Sequence, residues 1–83
     1  MEKSIHSQEY GAVTELLKLA RNEAGLTQVE LAEALGQSQS FVSKFERGER
    51  RLDIIQLRTV CHALGTSLPE FVASLEKELG SPK

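Results

Sequence analysis

The feature that most constrains this chain is a very short junction between two segments of helical periodicity, in the stretch LAEALGQSQSFVSKFERG at 31–48. The first segment has apolar residues at helical spacing: Leu31, Ala32 and Leu35. It stops at Gly36, a residue type that readily adopts the positive φ of a helix end. Ser38 is a preferred N-cap residue and can start the second helix at once. Two helices joined so closely must cross steeply, which predicts a helix-turn-helix over 28–47.

Start and stop signals place one helix before this junction. Ser7 can cap a first helix from about residue 8 to 24, and Gly25 is placed to end it in the left-handed conformation. Thr27 and Glu30 then form the sequence pattern of a capping box, in which each side chain bonds to the other residue's backbone N–H. This box fixes the start of the second helix.

Two more helices follow the junction. The third helix ends at Gly48, and Asp53 caps a fourth that is closed by Gly65. Ser67 and Pro69 open a fifth, because proline is tolerated in the first turn of a helix. The apolar residues at helical spacing form the predicted core: Val13, Leu16, Leu17, Ala20, Leu31, Ala32, Leu35, Val42, Phe45, Leu57, Val60, Cys61, Leu64, Phe71, Val72 and Leu75. Without any strand-like alternation, the chain is predicted to be all-α, a compact five-helix bundle.

Length and composition exclude several classes of protein. The 83 residues suffice for one domain, predicted over 8–80 between a flexible tail at 1–7 and a disordered end at 81–83. No run of about 18 apolar residues offers a membrane span, and the N-terminus lacks the apolar stretch of a secretion signal. Cys61 is the single cysteine, so a disulfide framework is excluded and a cytoplasmic location is expected. No spacing of His, Cys and carboxylates suits a metal, and we expect no cofactor and no enzymatic activity.

Charge is unevenly distributed along the chain. The net charge is −2, which by itself argues against nucleic acid as a partner. Between residues 44 and 58, however, five basic side chains stand against three acidic ones. A local basic patch is sufficient for phosphate binding, so this window keeps nucleic acid among the possible partners.

The polar residues QSQS at 37–40 are either a linker or the start of the second helix of the junction. With Val42 and Phe45 facing the core, that helix turns one polar stripe outward: Gln39, Ser40, Ser43 and Lys44. A glutamine amide can bond both groups of an adenine edge, lysine bonds guanine, and serine hydroxyls serve either base. These residue types favour a helix that reads DNA bases over a linker.

Over residues 16–72 the chain resembles the phage-repressor type of DNA-binding domain, the Cro or XRE-like helix-turn-helix family. The matching stretches are GLTQVELAEALGQSQSFVSKFERGER at 25–50 and LRTVCHALGTSLPEFV at 57–72. The resemblance implies a lambda-repressor-like five-helix bundle whose third helix lies in the major groove of double-stranded DNA. It further implies a transcriptional regulator, a repressor that binds an inverted-repeat operator as a homodimer.

Carried over to this chain, the family's pattern gives each polar residue a role. Base edges would be read by Gln39, Ser40, Ser43 and Lys44, although the last two could instead meet the adjacent DNA backbone. Phosphates would be bound by Gln28, Ser38, Arg47, Arg50 and Arg51. Gln28 would also buttress the recognition helix, and Arg21 with Glu46 would form a structural pair that fixes the angle between helices. Phe41 departs from the pattern because it lies toward the groove side, where it can pack on a thymine methyl or cover its own helix.

Ile54 and Ile55 stand at the start of the fourth helix, whose inward face is already filled, so one of them is expected to point outward. The fifth helix runs past the family's usual end and leaves Leu75 and Leu79 with little of their own domain to cover. These four residues are the predicted dimer interface, although the last two can simply cap the core of one subunit. A competing hypothesis is a protein-interaction module, such as an antitoxin that holds its toxin. The sequence does not choose among phage repressors, restriction–modification controllers and antitoxins.

Overall fold

The computed structural model describes the backbone of residues 2–80 and the side chains of residues 8–80. Five helices follow one another along this part of the chain: α1 Glu2–Glu23, α2 Gln28–Leu35, α3 Gln39–Glu46, α4 Ile54–Ala63 and α5 Leu68–Leu79. No strand occurs within it. The predicted all-α fold of five helices is therefore confirmed. No helix of the described residues is both long enough and apolar enough to span a membrane.

The start of α1 differs from the prediction. The sequence predicts a start at residue 8 with Ser7 as the N-cap, whereas α1 begins at Glu2 and Ser7 lies inside it. Residues 1–10 contain neither proline nor glycine, so nothing in that stretch stops a helix from extending toward the N-terminus. Met1 and the predicted disordered end at 81–83 lie outside the described residues. The flexibility of the first seven residues stays a prediction.

Side-chain caps define the starts of two other helices. At α2, the Thr27 hydroxyl accepts the Glu30 N–H (3.0 Å) and the Glu30 carboxylate accepts the Thr27 N–H (2.9 Å), which completes the predicted capping box. Asp53 caps α4 as predicted, and it forms a second such box with Gln56 that was not predicted. Helices of 8 and 10 residues are marginal on their own, so these caps help to fix where they begin.

The turn between α2 and α3 is closed by Gly36. Its φ is 68°, a left-handed conformation that glycine adopts without the steric cost of a Cβ atom. Its N–H bonds back to the Glu33 carbonyl (3.1 Å), and the N–H of Gln37 bonds to the Ala32 carbonyl (2.9 Å). The small, buried Ala32 side chain suits the close packing of α2 on α3. The predicted helix-turn-helix is thus formed by α2, a short turn and α3.

Within the described residues, nine apolar side chains form the buried core: Leu17, Leu31, Ala32, Val42, Phe45, Val60, Cys61, Leu64 and Phe71. All nine belong to the predicted core. Val72, also predicted to face inward, is instead 37% exposed, because α5 packs through Phe71 and Leu75, which lie one turn apart on a different face. Burial raises the pKa of the Cys61 thiol, which behaves as a small core residue.

An ion pair joins α1 to the end of α3. Nε of Arg21 donates to Oε2 of Glu46 (2.6 Å), and Nη2 donates to Oε1 (3.1 Å). Nη1 of Arg21 donates to the Leu26 carbonyl (2.9 Å), so the guanidinium also holds the loop before α2. Both charged residues are only 9% exposed. The hydrogen bonds to Glu46 raise the pKa of Arg21 above its ordinary value, and the pair holds α3 against α1.

We expect Arg21→Met to lower the free energy of unfolding by about 3 kcal/mol, because it leaves the buried Glu46 carboxylate without its cation. The double variant Arg21→Met, Glu46→Leu removes both charges and should recover part of that loss. Urea unfolding followed by circular dichroism measures both variants. A double variant that is less stable than Arg21→Met alone would contradict this account of the pair.

Candidate nucleic-acid interface

The helix α3 turns a continuous polar face to solvent. Its buried side consists of Val42, Phe45 and Glu46, and this fixes the rotation of the helix about its own axis. The opposite side carries the four predicted base-reading residues, which we call the reading face: Gln39, Ser40, Ser43 and Lys44. Ser43 is half-buried and the other three are exposed. Because residues 39 and 40 form the first turn of α3, the second half of QSQS belongs to a helix.

A series of hydrogen bonds connects the reading face to the protein interior. Nε2 of Gln28, in the first turn of α2, donates to Oε1 of Glu46 (2.9 Å). Nε2 of Gln39, in the first turn of α3, donates to Oε1 of Gln28 (2.6 Å). Since Glu46 is itself held by Arg21, we call Arg21, Glu46, Gln28 and Gln39 the polar chain. The polar chain therefore connects the exposed side chain of Gln39 to the buried ion pair and holds it in position.

Arg47 follows α3 directly and is held by two neighbours. Its Nε and Nη2 donate to the two carboxylate oxygens of Glu49 (3.0 Å each), and its Nη1 donates to the Ser43 hydroxyl. The hydrogen bonds from Arg47, and then its charge, lower the pKa of Glu49, so this exposed pair is ionised near neutral pH. Glu49 was not predicted to be part of the site, because it is one of several charges in ERGERR and no local pattern marks it. Its carboxylate partly neutralises Arg47.

The side chains of Arg50 and Arg51 each pack against an aromatic ring. The guanidinium carbon of Arg50 lies 5.0 Å from the centre of the Phe41 ring, and that of Arg51 lies 4.3 Å from the centre of the Tyr10 ring. Contacts of this kind hold the cation over the ring while its N–H groups stay available. The Tyr10 hydroxyl also accepts the Leu52 N–H (3.2 Å), so α1 anchors the segment between α3 and α4. Tyr10 was not predicted, since no short-range pattern links it to residues so distant in sequence.

Phe41 and Ser38 complete the start of α3. Phe41 is half-buried, and its ring meets that of Phe45 edge to face with centres 5.5 Å apart. Its ring therefore covers part of its own helix, and its contact with a thymine methyl stays a prediction. The Ser38 hydroxyl accepts the Phe41 N–H (3.2 Å) as the N-cap of α3. Its role in phosphate binding stays a prediction.

The four residues of the predicted dimer interface fall on two different surfaces. Ile54 and Ile55 are 62% and 68% exposed at the start of α4, so both point outward where one was expected to do so. Ile55 borders a depression of about 180 Å³ lined by residues of α2, α3 and α4. Leu75 and Leu79 line another depression against α1, which covers part of the surface that the sequence left without a partner.

The chemistry available at the site is hydrogen bonding and charge. Within residues 8–80, no group of three His, Cys, Asp or Glu side chains lies close enough to hold a metal ion. Cys61 is buried and His62 is exposed, so their adjacency in sequence makes no nucleophile and base. What the site offers is amides, hydroxyls and cations around one helix.

Comparison with known sequences agrees with this arrangement. The sequence pattern of the family described as helix-turn-helix matches residues 17–71. An uncharacterised HTH-type transcriptional regulator of Sinorhizobium fredii, y4dJ, is 40% identical to this chain over 57 residues. The match covers 69% of this chain and 74% of that protein.

Solved structures agree as well. An XRE-family like protein from Pseudomonas syringae is 46% identical, with a TM-score of 0.86 over 95% of this chain and 96% of that one. The wild-type restriction-modification controller protein C.Esp1396I is 31% identical, with a TM-score of 0.79 over 86% of this chain and 92% of that one. The chain described here therefore belongs to the XRE family of helix-turn-helix, DNA-binding transcriptional regulators.

Proposed function

We propose that this protein is a sequence-specific repressor of transcription that binds double-stranded DNA as a homodimer. One observation carries the proposal: α3 has four side chains able to read bases on one outward face, and the polar chain holds the first of them. An α-helix fits the major groove, where each base pair has its own pattern of donors and acceptors. A two-fold dimer would set its two α3 helices on the halves of an inverted-repeat operator, with half-site centres about 10 base pairs apart.

The side chains of the reading face match the edges of particular bases. The Gln39 amide has a donor and an acceptor, which suit adenine, and the Lys44 ammonium suits the two acceptors of guanine. The hydroxyls of Ser40 and Ser43 suit either base. One good bidentate contact discriminates against a wrong base by about 1–3 kcal/mol, so a few such contacts in each half-site suffice for a specific operator.

Phosphate contacts would flank the reading face on both sides: Gln28, Ser38, Arg47, Arg50 and Arg51. The guanidinium groups of Arg50 and Arg51 are exposed beside their rings, whereas that of Arg47 is shared with Glu49. The basic window between residues 44 and 58 supports this assignment even though the net charge is −2. Contacts to phosphates supply affinity and register, and contacts to bases supply specificity.

Ile54 and Ile55 are the proposed centre of the dimer interface. Among the described side chains they are the most exposed large apolar ones, and they follow directly after the segment that carries the arginines. A two-fold contact there would bury this apolar surface and fix α3 of one subunit relative to that of the other. Leu75 and Leu79, which line a depression against α1 of their own subunit, are not needed for that contact.

Repression needs no chemistry by the protein, because a dimer bound across a promoter excludes RNA polymerase from that DNA. The similar controller protein C.Esp1396I acts in restriction-modification, so control of such genes is one setting for this chain. We place its action in the bacterial cytoplasm, where the operator DNA lies. A protein-interaction module of the antitoxin type is the alternative, and such a module would need neither base-reading side chains nor basic flanks.

Selection of binding sites from a random duplex library, with the purified protein at moderate salt, tests DNA reading. We expect enrichment of an inverted repeat whose half-site centres are about 10 base pairs apart. If the folded, helical protein enriches no motif, α3 is not a reading helix, and the protein-interaction module becomes the leading hypothesis.

Variants of the reading face and of its flank separate specificity from affinity. Lys44→Ala should reduce the preference for guanine at one position of each half-site by about 1–3 kcal/mol. Arg51→Ala should weaken binding to all sequences alike. It should also make the dependence of log affinity on log salt less steep, by about 0.9 for each phosphate that the variant no longer binds. Fluorescence anisotropy with single-substitution operators measures both effects. A loss of affinity that is equal for all operators would contradict a base-reading role for Lys44.

Ile55→Glu is expected to convert the dimer to a monomer, because it sets two carboxylates against each other across the two-fold axis. Sedimentation velocity measures the oligomeric state, and operator affinity should fall together with the dimer. Leu19→Glu is the matched control, since Leu19 is an apolar residue of α1 that is 51% exposed and lies outside the proposed interface. A dimer that survives Ile55→Glu would place the interface elsewhere.

A further inference from the structure

We propose that the buried carboxylate of Glu46 determines which base Gln39 reads, so that the reading face requires adenine and rejects guanine at that position. The inference rests on the proposed base-reading role of Gln39. Glu46 does not touch DNA in this mechanism. It is a positioning residue that acts through Gln28.

Glu46, the buried end of the polar chain, determines which groups of the chain donate and which accept. Both carboxylate oxygens of Glu46 accept hydrogen bonds from Arg21, and an ionised carboxylate has no proton to donate. The Glu46 side chain is only 3% exposed, so its contacts are made with protein groups. Any further neighbour that bonds to it must therefore be a donor.

Gln28 carries this constraint outward. An amide side chain has a donor end and an acceptor end. Because Glu46 takes the donor end, Nε2 (2.9 Å), Gln28 turns its acceptor Oε1 toward α3, where it receives Nε2 of Gln39 (2.6 Å). Reversing either amide alone would set two donors or two acceptors against each other. The orientation of both amides thus follows from the charge of Glu46.

Gln39 is left with one N–H and one carbonyl oxygen for DNA. In the major groove, adenine offers an acceptor at N7 and a donor at N6, which match this pair. Guanine offers two acceptors, N7 and O6, and an amide bonds both only when both of its N–H groups are free. One N–H of Gln39 is already bound to Gln28, so guanine would leave O6 opposite Oε1, two acceptors facing each other. The polar chain therefore excludes the guanine arrangement.

The test compares the selected operator with a copy in which the adenine opposite Gln39 is replaced by guanine. That position is identified as the one whose preference is lost in Gln39→Ala. The wild-type protein should prefer adenine by about tenfold or more, as a good bidentate contact does. Gln28→Leu frees both N–H groups of Gln39 and should reduce the preference to about threefold or less. Competition binding at one salt concentration, read by fluorescence anisotropy, gives these ratios.

Glu46→Gln is the second variant. Oε1 of Glu46 accepts from both Gln28 and Nη2 of Arg21, and Oε2 accepts from Nε of Arg21, so the new amide sets its nitrogen against one donor of Arg21 in either orientation. The orientation with the nitrogen in the place of Oε1 reverses the amides of Gln28 and Gln39, and the preference for adenine should fall. A structural role alone would change stability without moving the base preference at a single position. If Glu46→Gln does not fold, as judged by circular dichroism, Gln28→Leu decides the test.

Control variants distinguish a failure of this inference from a failure of the proposed base-reading role of Gln39. Arg51→Gln should weaken binding to both operators equally and leave their ratio unchanged. If Gln28→Leu and folded Glu46→Gln keep the wild-type ratio while Gln39→Ala loses it, the polar chain does not set the base, and this inference is wrong although the proposed function stands. If Gln39→Ala alters no position, or the wild type prefers guanine there, the assigned base-reading role of Gln39 fails and this inference fails with it.

Discussion

The ion pair between Arg21 and Glu46 is the contact on which the rest of the structure most depends. It joins three segments, because Arg21 bonds to the end of α3 and also to the Leu26 carbonyl before α2. With side chains 11% and 3% exposed, each charge is stable in its position only because the other is present. The helices α2 and α3 have 8 residues each and little stability alone. The angle at which α3 leaves the domain therefore depends on tertiary contacts, and this pair is the ionic one among the polar contacts described for α3.

Much of the fold could be predicted from the sequence, because its signals act within one helical turn. The capping box of Thr27 and Glu30, the cap at Asp53 and the left-handed Gly36 are all local, and each marks the boundary that the structure has. The start of α1 was predicted wrongly for a related reason. A capping residue such as Ser7 permits a helix to begin but does not prevent it from beginning earlier, and no proline or glycine precedes it to do so.

The residues of the candidate site could be predicted only where the outward face of a helix or the sequence pattern of the family marks them. Burial of Val42 and Phe45 fixes the outward face of α3, so its members follow from periodicity alone. The contacts of Tyr10 with Arg51 and with the Leu52 N–H join residues about forty positions apart, and no spacing rule indicates them. The structure adds the partners of the three arginines after α3. The guanidinium of Arg47 is shared with Glu49, whereas those of Arg50 and Arg51 lie over aromatic rings.

The reading face combines Gln39, which the polar chain holds, with Lys44, which is exposed, and the two serve different purposes in the proposed complex. Fixing a flexible side chain on binding costs about 0.5–1.5 kcal/mol, and Gln39 is already fixed by the polar chain before DNA arrives. A fixed amide gives specificity at low entropic cost, but it fits one pattern of donors and acceptors. Lys44 is exposed and carries a compact charge on a flexible stem, so it can follow a guanine or a nearby phosphate. In the proposed complex, a buried carboxylate would thus shape an operator that it never contacts, while exposed cations would supply the affinity that makes the reading possible.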